Sequence, residues 1–97
     1  MLQNYLERIK QSVLSELAGE HVAIALFGSA AVGEDTVASD IDIAIIPRGG
    51  WNRWKLSFLR EELDNLNVPY TVDLVDFSTT SEMFTTTALA GAIWWKG

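Results

Sequence analysis

This chain of 97 residues has no cysteine, a single histidine and only two prolines. Without cysteine, disulfides and thiolate metal sites are excluded, and a cytoplasmic home is the expectation such a composition sets. Long apolar runs are missing too: none approaches the roughly 20 residues needed to cross a bilayer. The N-terminal stretch MLQNYLERIK lacks the basic-then-apolar pattern of a secretory signal. Positive charge is scarce, with 7 Lys and Arg against 13 Asp and Glu, a formal net charge of −6. A chain so charged is poorly suited to gripping a nucleic-acid backbone by itself and well suited to binding cations. Repeats, low-complexity tracts and linkers are also absent, so one domain over residues 1–97 is expected.

What is present is the profile of a globular protein, 48% hydrophobic and 21% charged. Leu2, Leu6, Ile9, Val13, Leu14 and Leu17 recur at helical spacing, predicting an amphipathic helix over residues 2–18 that Gly19 stops. Val22 to Phe27 reads as a short buried strand. Ile41 to Ile46 reads as a second, closed by Pro47 and Gly49-Gly50. A helix is predicted over 51–65, with Trp51, Trp54, Phe58 and Leu59 on one side and both tryptophans in the core. A strand follows from Tyr70 to Val75. Thr79 with Glu82 resembles a capping box for a helix over about 80–90. Ala92 to Trp95 completes the order as a short terminal strand. Adjacent strand residues face opposite ways, so one of Trp94 and Trp95 is expected to be exposed and to mark an interface. The order predicts an α/β (α+β) domain, a small mixed β-sheet flanked by helices.

The chemistry lies in FGSAAVGEDTVASDIDIAII, residues 27–46. Strand alternation puts Ile41, Ile43 and Ile45 on one face and Asp40, Asp42 and Ala44 on the other. Two carboxylates roughly 7 Å apart at their backbones repel, and each tends to hold its proton unless a cation sits between them. Hard oxygen ligands on a rigid strand suit Mg²⁺, which also takes phosphate oxygens. In the third strand Val72 and Leu74 form the core face and Asp73 the other, so Asp73 is the favoured third acid. Asp76, of opposite parity at the strand end, is the competing choice. Gly28-Ser29 supplies close backbone approach, a hydroxyl and amides, the makings of a phosphate cradle. A phosphate cradle facing a two-metal carboxylate cluster contains the components of nucleotidyl transfer. His21 has no partner in the sequence and reads as a surface residue.

Gly-Ser, ten residues, then Asp-x-Asp arises by chance in a chain this long on the order of once in a thousand. Gly28-Ser29 and Asp40-Ile41-Asp42 resemble the signature of the minimal nucleotidyltransferases of the DNA polymerase beta superfamily. The resemblance extends over nearly the whole chain, through Val72-Asp73-Leu74-Val75-Asp76 and the stretch Thr79 to Phe84. It is nearest to the short subunits that pair with a separate helical HEPN protein. The resemblance implies a polymerase-beta-like fold, with Asp40, Asp42 and Asp73 as catalytic metal ligands for Mg²⁺. Gly28 and Ser29 become the nucleotide-binding loop for ATP or another NTP. It further implies an antitoxin that transfers AMP from ATP to its HEPN toxin, with assembly as a homodimer or hetero-oligomer left open. Many relatives carry arginine straight after Gly-Ser and again two residues later, where this chain has Ala30 and Val32. Arg48, Arg53 and Lys55 remain as mid-chain bases. The alternative is a non-catalytic subunit that blocks its HEPN partner by contact around a vestigial site.

Overall fold

The computed structural model describes residues 2–28, 31 and 40–97. Ser29, Ala30, and the segment 32–39 with Val32, Glu34 and Asp35 lie outside the described residues. The elements, in chain order, are α1 (Leu2–Glu16), β1 (Val22–Phe27), β2 (Ile41–Pro47), α2 (Lys55–Asp64), β3 (Val72–Asp76), α3 (Glu82–Ala88) and β4 (Ile93–Lys96), with a 3₁₀ turn at Phe77–Thr79. The strands form one mixed sheet in the order β3-β2-β1-β4. β1 runs antiparallel to both β2 and β4, while β2 and β3 are parallel. The parallel pair is joined through α2, as a parallel connection requires a crossover.

One face of the sheet carries the main core. Leu6, Ile9, Val13 and Leu17 form the buried stripe of α1, and Leu56, Leu59 and Leu63 that of α2. Both stripes close over Val22, Ile24, Leu26, Ile41, Ile43, Ile45 and Leu74, the set that a period of two turns to one side. The other face holds a smaller cluster. Ala25 and Ala44 leave room there for Phe77, with Val75, Ala88 and Leu89 packed around it. β1 and β2 are therefore apolar on both sides for much of their length, which is why they read as nearly continuous hydrophobic runs.

Several boundaries differ from the sequence expectation, each for a local reason. α2 begins at Lys55 because Asn52 first makes a turn: its side-chain oxygen accepts from the Trp54 amide at 3.1 Å and its carbonyl from the Lys55 amide. The buried stripe of α2 then leaves Trp54 and Phe58 outside, Trp54 77% exposed, while Trp51 packs on the main core. Thr79 does not cap α3. It belongs to the 3₁₀ turn, and Ser81 is the cap, its hydroxyl accepting from the Phe84 amide at 3.0 Å. The tryptophan pair divides as alternation predicts: Trp95 packs on the main core and Trp94 is 46% exposed.

β4 is also anchored by charge. The Lys96 ammonium donates to the carbonyls of Leu17 at 3.3 Å and Glu20 at 2.8 Å, just beyond the C-terminus of α1. The ammonium adds to the backbone bonds these carbonyls already accept from the Glu20 and Val22 amides, and a cation is favoured near a helix C-terminus. Lys96→Met is expected to lower stability by about 1–2 kcal/mol, read as a shift in the urea midpoint at unchanged m-value.

Candidate active site

The acids gather where the C-terminal end of β1 meets the N-terminal ends of β2 and β3. Asp42 is paired in register with Phe27 on its antiparallel side and with Asp73 on its parallel side. Residues directly opposite in neighbouring strands share a face, so Asp42 and Asp73 stand side by side on the face away from α1 and α2. Asp40 has the same parity and immediately precedes β2, exposed to solvent. Asp42 lies on an inner strand and is partly buried, whereas Asp73 lies on the edge strand and is exposed. The Asp42 carboxyl is pushed above its ordinary value, first by burial and then by the negative charges of Asp73 and Asp40. Both effects disfavour the anion, and a bound cation would relieve both.

Gly28 shapes the wall on the other side of Asp42. Its φ of +77° lies in the left-handed region, and a Cβ placed there would sit 2.5 Å from Asp42 Oδ2. A side chain would occupy the space of the carboxylate. The Ala31 amide donates to the Gly28 carbonyl at 3.1 Å, so the chain turns immediately after β1. Ser29, the other half of the expected phosphate cradle, is among the residues not described.

The competing acid, Asp76, is engaged otherwise. It sits at the far end of β3, where its carboxylate accepts from the Ser78 amide at 2.9 Å and pairs with Arg53 at 3.6 Å. Arg53 also donates to the Ser78 hydroxyl. The Asp-Phe-Ser order from 76 to 78 is the sequence signal for this turn. Lys55 is paired with Glu20 at 3.1 Å, and Arg60 donates to the Leu74 carbonyl at 3.2 Å. Arg53 and Lys55 therefore brace the scaffold. His21 is exposed at the start of β1.

The donor set fits a hard divalent cation. Among the described residues no three Asp, Glu or His side chains enclose an ion by themselves. A cation at Asp42 and Asp73 would be completed by phosphate oxygens, the coordination Mg²⁺ prefers. Among the described residues no helix is long and apolar enough to cross a membrane.

A mixed sheet with paired strand carboxylates beside a glycine turn defines a nucleotidyltransferase fold. Residues 7–94 match the family described as polymerase beta, nucleotidyltransferase, and the chain belongs to that family. Within it the chain is a minimal nucleotidyltransferase. It is 34% identical over 76 residues, 78% of its length, to the probable protein adenylyltransferase MntA of Haemophilus influenzae. That match spans 66% of the relative's own length. A solved minimal nucleotidyltransferase superposes with a TM-score of 0.69 at 29% identity, covering 91% of this chain and 90% of the other. An MNT antitoxin from Shewanella oneidensis, solved in complex with its tri-AMPylated HEPN toxin, shares the fold at 22% identity. Its TM-score is 0.66, and the match covers 100% of this chain and 73% of that one.

Proposed function

We propose that this chain is a Mg²⁺-dependent nucleotidyltransferase that moves AMP from ATP to a hydroxyl of a helical HEPN-type partner, acting as its antitoxin. The observation that carries the reading is the in-register pair Asp42 and Asp73, on one face against the Gly28 turn. Support comes also from the adenylyltransferase relative and from the AMPylated toxin in the Shewanella complex.

In the reaction the partner's hydroxyl oxygen attacks the α-phosphorus of ATP. The new oxygen–phosphorus bond forms as the bond from the α-phosphorus to the bridging oxygen breaks, and pyrophosphate leaves. Asp73, the exposed carboxylate, accepts the hydroxyl proton. Asp40, Asp42 and Asp73 would hold the metal, and Gly28 with Ser29 the nucleotide phosphates. Bound Mg²⁺ would neutralise the phosphates and the charge developing on the leaving group.

The second reading, inhibition by contact alone, draws on Ala30 and Val32, where arginines would have gripped a triphosphate. Co-expression with a HEPN-type partner protein, followed by mass spectrometry of that protein, separates the two. Transfer predicts added AMP that disappears with Asp40→Asn and with Asp42→Asn. An unmodified partner that both variants still neutralise would establish the contact reading instead.

A further inference from the structure

The face of the sheet that carries the carboxylates also carries exposed apolar side chains. Trp94 is paired with Ala25 across β1 and β4, and Ala25 is paired with Ala44 across β1 and β2. Trp94 therefore shares the face of Asp42, two strands away, and is 46% exposed. α3 lies over the same face, and its Met83 and Phe84 are 79% and 50% exposed. A shallow depression of about 390 Å³ opens beside Glu82 and Met83. Phe84 is not a loose attachment to the site. Its ring lies 5.8 Å from that of Phe77, which stands edge-on to Phe27 at 5.4 Å. Phe27 in turn is the register partner of Asp42 and the residue before Gly28.

We propose that Met83, Phe84 and Trp94 form the docking surface for the acceptor protein, and that this protein meets them with a basic, apolar surface. The occupant follows from position and charge, and it rests on the transfer reading above. An acceptor hydroxyl has to reach Asp42 and Asp73, so the body of a protein acceptor must rest on the rim of this face, and these side chains are its apolar part. Exposed aromatic and methionine side chains are the residue types that anchor interfaces. The rim is also acidic, through Asp40, Asp73 and Glu82, on a chain of net charge −6. Lys55, Arg60 and Lys96 are held away from it by Glu20, by the Leu74 carbonyl and by the end of α1. Charge complementarity then calls for a basic partner surface, which would also speed encounter.

Calorimetric titration with a purified HEPN-type partner protein that the wild type binds tests this apart from catalysis. Met83→Glu, which changes a side chain that is almost wholly exposed, is expected to weaken binding about 30-fold, and Trp94→Ser to weaken it as well. Trp54→Ser, at the exposed residue just before α2, is expected to bind as the wild type does. Wild-type affinity in both Met83→Glu and Trp94→Ser overturns the proposal, as does equal weakening by Trp54→Ser. If the wild type binds, Met83→Glu does not, and no AMP is transferred, the docking surface stands and the transfer reading falls.

Discussion

Asp42→Asn is expected to reduce nucleotidyl transfer by about a thousandfold or more while making the metal-free protein more stable. The loss of activity follows from position: Asp42 is flanked by Gly28 on one side and Asp73 on the other, and no other carboxylate among the described residues lies between them. The gain in stability follows from its perturbed ionisation. Burial and two neighbouring acids raise the folded-state pKa above the ordinary 3.8. The folded protein therefore binds this proton more tightly than the unfolded chain does. As pH rises from about 3.8 through the raised value, the folded state loses stability, and the penalty is complete above that window. Asparagine carries no charge and escapes it. Urea unfolding in EDTA should show the variant more stable at neutral pH, with the difference gone near pH 3. Added Mg²⁺ should stabilise the wild type and leave the variant unchanged. A variant less stable at neutral pH in EDTA would mean that the Asp42 anion is already compensated by the protein.

Gly28→Ala is expected to cost about 1–2 kcal/mol through its left-handed backbone and to lower activity about a hundredfold by displacing a carboxylate. The φ of +77° sets the first cost, and the 2.5 Å approach of a Cβ to Asp42 Oδ2 sets the second. The two are separable. Asp42→Ala removes the carboxylate that the new methyl would strike, so part of the stability loss caused by Gly28→Ala should disappear in that background. The backbone part should remain. Full additivity would mean that Asp42 swings aside at no cost, and would detach Gly28 from its proposed place in shaping the site.

Much of this arrangement was legible in local pattern. The elements of the sheet could be read because their periods are strong: alternating isoleucines at 41, 43 and 45, and the leucine-rich stripe of α1. The same alternation separates Asp42 from the core and Asp73 from Leu74. It also distinguishes Asp73 from Asp76, which the structure shows tied to Ser78 and Arg53. Where local pattern misled, a specific contact prevailed. Trp54 has helical spacing from Phe58, but Asn52 starts a turn that delays α2, and both side chains remain in solvent. Thr79 and Glu82 have capping-box spacing, but Ser81 lies nearer the helix and takes the cap.

Period and spacing act along the chain, so they settled where the strands fall, which side of each strand is polar, and the family to which the motif points. They did not settle the strand ends: the third runs Val72–Asp76 rather than Tyr70 to Val75. They carry no information about which strand lies beside which, or at what register. That β1 is antiparallel to β2 while β3 is parallel to it, that Asp73 comes to lie opposite Asp42, and that Phe77 brings α3 onto the carboxylate face all depend on contacts between distant segments. Those choices were made by packing two helical stripes against one face of the sheet, with Ala25 and Ala44 on the other to admit Phe77. The approach of Gly28 to Asp42 is of the same kind: the motif names both residues, and only the paired strands bring them within a methyl group of each other.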